Sequence, residues 1–169
     1  MEKYNFYKSF YDRELNRRKD LDSFINLPLT IIGILITANT YLAKSLFPII
    51  SICNINLKQI LIIIFFLIVI FTISYLIKSY NNFFKGFKYR NFGNYLELRE
   101  YEIKISLHNE KSENKIDFDK QVLDKMIFFA ENHCYINDKR SYDLYISKTG
   151  IFILIISTII NYIFIATLK

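Results

Sequence analysis

Residues Gln59 to Phe71 read QILIIIFFLIVIF, thirteen positions of which twelve are aliphatic or aromatic. An amphipathic helix of a soluble domain is apolar along one stripe, whereas this run is apolar on every face. It belongs to a block of about 19 uncharged residues between Lys58 and Lys78. A helix rises about 1.5 Å per residue and the hydrocarbon core of a bilayer is about 30 Å thick, so some 20 residues are enough to cross it. Two more blocks of that length flank it: about 21 uncharged residues between Asp22 and Lys44, and about 20 between Lys148 and Lys169. Lipid offers no partners to backbone amides, so each block must be helical.

The sequence therefore predicts an all-α integral membrane protein with three transmembrane helices, an amphipathic N-terminal helix and a helical cytoplasmic module. The expected divisions are an amphipathic segment over residues 1–22, spans over 23–43, 59–77 and 149–168, a short outer loop over 44–58, and the module over 78–148. The acidic N-terminal region and the lack of a small-residue cleavage site after the first span argue against a secretory signal. Cys53 and Cys134 fall on opposite sides of this scheme and are not expected to pair.

Charge sets the orientation. Six of the 22 Lys and Arg residues precede the first span, 13 lie from Lys78 to Lys148, and only Lys44, Lys58 and Lys169 fall elsewhere. Basic residues are retained on the cytoplasmic side, so the N-terminus and the long segment are predicted inside and the C-terminus outside. All 16 acidic residues share the two inside segments. The net charge of +6 thus belongs to a mixed-charge module and implies no direct nucleic-acid binding. The abundance of Ile, Asn, Lys and Tyr suggests a bacterial source, and with it the inner (cytoplasmic) membrane.

Tyr4, Tyr7, Phe10, Tyr11 and Leu15 recur at helical spacing, with Glu14 and Arg18 placed for an ion pair. This helix suits either the headgroup layer or the surface of the module. Pro28 predicts a bend or restart near residues 26–28, because it lacks an amide donor. Gly86 and Gly93 predict interruptions after the second span. A helix is expected over 94–107, a polar hinge over 108–115, and a helix from Asp117 that can run unbroken into the third span.

The first span carries the most informative pattern. Ser23, Asn26, Thr30, Gly33, Thr37 and Thr40, flanked by Lys19 and Lys44, alternate three- and four-residue steps. They form one stripe of small and polar side chains on an Ile/Leu helix. Such a stripe either lets helices approach closely or lines a wetted path between several copies. Both predict contact with protein rather than lipid, and a homo-oligomer supplies it most simply. Ser157 and Asn161 mark the third span, where an Asn is read as a helix–helix hydrogen bond. No charged residue lies inside a span, which argues against proton relays and voltage sensors.

No catalytic constellation, cofactor motif or metal-ligand spacing is present. There is no glycine-rich phosphate loop, nucleophile elbow or paired-histidine motif, and His108 and His133 stand apart. Glu97, Glu100 and Glu102 interleave with Arg99 and Lys104 as a solvated face.

Two stretches carry a resemblance. One runs YDRELNRRKDLDSFINLPLTIIG from Tyr11 to Gly33; the other, ENHCYINDKRS, holds Asn132, Asn137, Asp138, Lys139, Arg140 and Ser141 ahead of the last span. They resemble small bacterial membrane proteins linked to anti-phage defence, and in plan the membrane accessory proteins of type VI-B CRISPR systems. They are also similar to two-span effectors of nucleotide-signalling defence operons. The resemblance implies an oligomeric pore and a HEPN-like Arg-x4–6-His element. Arg140 stands at the Arg position, but Tyr145 stands where the His belongs and no His follows, so RNase activity is not expected. Asn132, Asn137, Asp138, Arg140 and Ser141 are instead expected to hold the cytoplasmic module together, within or across subunits.

The expected function is an oligomeric effector that permeabilises the membrane on a signal from a cytoplasmic partner. The alternative is a non-conducting anchor that tethers such a partner.

Overall fold

The first two helices, α1 (Glu2–Ser23) and α2 (Asn26–Lys44), are nearly one. Phe24 N still donates to Asp20 O at 2.9 Å and Leu29 N to Ile25 O at 3.2 Å. Between them Pro28 has no amide for the Phe24 carbonyl, and its ring crowds that carbonyl, so the helical ladder breaks at Phe24 and Ile25. The interruption falls just ahead of residues 26–28, where the proline predicts it. The computed structural model describes residues 2–44 and 57–167, without the side chains of residue 2 and residues 165–167. Residues 45–56 of the expected outer loop, Cys53 among them, and Lys169 lie outside the described residues.

Helix α3 (Leu57–Asn81) runs past Lys78 and stops on three successive left-handed residues, Asn82, Phe83 and Phe84, followed by Gly86 at φ +70°. For residues with a Cβ this conformation costs about 1–2 kcal/mol each. Backbone bonds from Lys85 N to Asn82 O and from Gly86 N to Asn81 O hold the turn. It delivers the chain into a non-helical strap, residues 87–94.

Helix α4 (Tyr95–Lys111) begins at Asn94, whose side chain accepts from Leu96 N at 3.4 Å. It extends through the part of the expected hinge that starts at His108. The hinge begins only at Ser112 because Asn109 grips Ile116 from within the helix. Its Nδ2 donates to Ile116 O at 2.8 Å and its Oδ1 accepts from Ile116 N at 2.7 Å. Asp117 then caps α5 (Phe118–Thr167), accepting from Lys120 N at 3.2 Å. No Pro interrupts these 50 residues, and the helix is about 75 Å long by its rise.

The described residues form helices and no strands. Three helices are long and apolar enough to cross a membrane, in the stretches Lys3–Lys44, Leu57–Asn81 and Phe118–Phe164.

The chain divides into two compact units. One comprises Met1–Lys19 and Phe87–Asp138; the other comprises Asp20–Gly86 and Lys139–Lys169. Residues 78–86 and 139–148, with Arg140, therefore group with the apolar helices, and only residues 87–138 of the 78–148 segment fall in the other unit. The core of the second unit joins Leu21, Ile25 and Ile32 to Phe65, Val69 and Leu76 of α3 and to Leu144, Ile151 and Leu154 of α5. Burying each such side chain contributes about 1.5–3 kcal/mol where water is the alternative, and less where lipid is.

Candidate functional site

In the unit built from Met1–Lys19 and Phe87–Asp138, α5 holds the strap on one side and α1 on the other. Asn132 Oδ1 accepts from Arg90 N at 2.9 Å, His133 Nε2 donates to Arg90 O at 2.8 Å, and Tyr89 donates its hydroxyl to Asn137 Oδ1 at 2.8 Å. The other end of the Asn137 amide donates to Glu14 O at 2.9 Å and Glu14 Oε2 at 3.1 Å. Glu14 is 1% exposed and also meets Arg13 and Arg17, while Arg17 reaches Asp138 at 2.6 Å. A buried carboxylate stays charged only with such partners around it. Arg18 does not pair with Glu14 as the spacing suggests; its guanidinium lies 4.3 Å over the Tyr89 ring. Arg17, three residues on, meets Glu14 in its place, and the strap's Tyr89 takes Arg18.

Of α1's expected aromatic face, Tyr7 and Tyr11 are half-buried while Tyr4 and Phe10 are exposed. Phe6, Tyr7 and Phe10 line an apolar recess of about 280 Å³ with Ile127, Ala130 and Cys134.

The other unit has a polar layer where α1, α3 and α5 meet. Arg140, 1% exposed, donates Nε to Ser79 O at 2.8 Å and a terminal nitrogen to Asp22 Oδ1 at 2.5 Å. Ser79 Oγ returns a bond to Arg140 O at 2.9 Å. Lys78 meets the buried Asp143 at 2.9 Å. Arg140 is thus tied to Ser79 and Asp22, and Tyr145 points outward, 68% exposed. Ser141 is half-buried. The five residues of the second motif therefore divide: Asn132, Asn137 and Asp138 serve the first unit, Arg140 and Ser141 the second.

Further along the same bundle, Asn161 Nδ2 donates to Asn39 Oδ1 at 2.8 Å, and Asn39 Nδ2 donates to Thr158 Oγ1 at 2.8 Å. Asn161 is thus a helix–helix bond, but its partner Asn39 is absent from the sequence-derived set. Thr72 of α3 and Gly150 of α5 approach closely: a Cβ at position 150 would overlap the Thr72 hydroxyl and lie 3.1 Å from its Cγ2. Intimate packing of small residues is what apolar helices need when lipid surrounds them.

The stripe of α2 does none of this. Ser23, Asn26, Thr30, Gly33, Thr37 and Thr40 are all exposed, and α2 packs through Pro28, Ile32, Asn39 and Ala43 on its other side. Thr30 and Thr37 hydrogen-bond within the helix, to Asn26 O and Gly33 O at 3.0 Å each. Among the described residues, a Cβ on Gly33 would meet nothing within 4 Å beyond its own helix. On α3 and α5, Ile64, Leu67, Phe71, Tyr145, Thr149 and Ile153 help line an open apolar groove of about 460 Å³.

Among the described residues no group of three or more His, Cys, Asp or Glu side chains is arranged to hold a metal ion. Neither protein-family models, curated proteins nor solved structures give a match to this chain.

Proposed function

We propose that this chain is an oligomeric membrane effector: three helices cross the bacterial inner membrane with the N-terminus inside, and several copies assemble to perturb its permeability. The observation that carries the reading is the α2 stripe. Its five small or polar residues, with Ser23 at the end of α1, face away from the chain's own bundle, and a polar face turned to acyl chains gains nothing that a protein neighbour would supply. The α3–α5 groove gives a second copy a seat. Asp22 meets Arg140 and Asn39 meets Thr158, offsets of 118 and 119 residues. Asn26 and Thr30 of the stripe therefore lie level with Tyr145 and Thr149 of the groove. A stripe seated in a neighbour's groove is a head-to-tail interface, which closes into a ring when the rotation permits. The link to anti-phage defence rests on the resemblance of the two stretches quoted above.

The test combines particle mass in detergent with a membrane-potential or dye-leak assay in expressing cells. The intact chain is expected to run as a multimer and to depolarise cells. Thr30, Gly33 and Thr37 changed together to Leu should abolish both. A native chain that is monomeric and never alters permeability would overturn the reading.

The second reading, a non-conducting anchor that tethers a cytoplasmic partner, is favoured by the apolar recess beside exposed Phe6 and Phe10. A stable one-to-one complex with a soluble protein, without leak, would select it.

A further inference from the structure

We propose that His133 is the pin of an acid-sensitive latch: protonating its ring releases the strap of residues 87–94 from α5. This goes beyond the membrane reading and stands whether or not copies assemble.

His133 is fully buried, and its Nε2 faces the Arg90 carbonyl at 2.8 Å. A carbonyl only accepts, so Nε2 carries the proton and Nδ1 holds the lone pair. That Nδ1 is buried with no hydrogen-bond partner among the described residues. A second proton there would create a cation whose new N–H also lacks an acceptor, which costs far more than the neutral orphan does.

The surroundings favour the neutral ring. From α1, the Tyr11 ring packs edge-on at 5.7 Å, and of its charged groups Arg18 opposes protonation while Glu14 favours it. From the strap, the Tyr89 ring lies at 4.8 Å, and the Arg90 guanidinium turns away to sit 4.5 Å over Phe128. Burial above all holds the imidazole below its ordinary value of 6.5; the bond to Arg90 O and the Glu14 charge oppose that, and Arg18 adds to it.

The sign follows. Once the strap is off, the ring regains an ordinary pKa, so below about 6.5 the released form binds more protons than the latched one. The latch is whole at neutral pH and weakens as pH falls. The same ring that gives way holds the strap's central carbonyl, while Asn132 holds the amide of that same residue. Loss of the pin therefore loosens residues 89–92 together.

The chain has no Trp, so Phe92→Trp, at a ring that packs 5.0 Å from Phe129, places a single fluorescent reporter on the strap of the full chain in detergent. Emission is expected to move to longer wavelength between pH 8 and pH 5, with a midpoint below 6.5. His133→Gln, whose amide can still donate to Arg90 O, should lose the transition. Arg18→Gln should move the midpoint to higher pH. Should the Gln variant already emit at long wavelength at pH 8, ring-labelled histidine NMR of the otherwise native chain carrying His108→Gln decides instead. A neutral Nε2–H ring at pH 7 that protonates only as the strap signals change supports the latch. A ring that titrates at or above 6.5, an emission change that survives in a folded His133→Gln protein, or a midpoint indifferent to Arg18→Gln overturns it.

Discussion

Asn39 and Asn161, 122 residues apart, bond side chain to side chain at 2.8 Å between two apolar helices, and both are essentially unexposed. Asn39 accepts that bond and gives its amide protons to Leu35 O and Thr158 Oγ1, while the Asn161 carbonyl oxygen takes no donor among the described residues. The pair ties the first apolar helix to the last at one defined level. Changing either to Leu should cost about 1–2 kcal/mol, since the survivor keeps a buried amide with fewer partners. The double Leu variant should recover most of that loss. Unfolding of the purified protein in mixed micelles, read as a double-mutant cycle, checks the coupling; strict additivity would deny it.

Arg140 and Asp22 make a second tie of the same bundle, with unequal burial. Arg140 is 1% exposed and the Asp22 side chain 48%. Arg140→Lys loses the fixed fork that reaches Ser79 O and Asp22 at once, and should cost about 1–3 kcal/mol. Asp22→Asn should cost less than about 1 kcal/mol, because a half-exposed partner is screened by water. The ranking of the two in the same micelle assay is the check.

Gly150 lies against Thr72 so closely that a methyl group there has no room. Gly150→Ala should destabilise the α3–α5 packing by about 1–3 kcal/mol, as overpacking does. Adding Thr72→Ala should restore part of it. If Gly150→Ala is neutral, α3 and α5 do not approach as described.

Gly33 offers the contrast. Among the described residues nothing beyond its own helix lies within 4 Å of its Cβ position, so Gly33→Ala or Gly33→Leu should leave the folding stability of a single chain within about 0.5 kcal/mol or improve it. The same changes should reduce particle mass in detergent. In a background with Cys53 and Cys134 changed to Ser, Gly33→Cys should cross-link to Ile153→Cys between copies and not within one. Cross-linking confined to single chains would remove the groove as the seat of the stripe.

The three apolar blocks, their helical form, the break at Pro28 and the long uninterrupted final helix were all legible in the chain, because each depends on local quantities: run length, a missing amide, the absence of Pro. The stripe from Ser23 to Thr40 was legible for the same reason. That Asn161 would bond to another helix was foreseeable from its chemistry, but Asn39 was not. It lies among Thr37, Ala38 and Thr40 in sequence, yet each residue turns the helix by about 100°, so one step off the stripe places it on the packing face. Its partners are 119 and 122 residues away.

Sequence by itself determined which segments are helical and apolar, since those properties follow from backbone hydrogen bonding and side-chain solubility over a few turns. Tertiary structure decided which face of each helix is buried. It turned α2 on Ile32 and Asn39 and left the stripe outside. It drew Arg140 to Asp22 rather than to Asn137's neighbourhood, and closed His133 under the strap. Those outcomes depend on shape and charge brought together from more than forty residues away, where no local period carries the information.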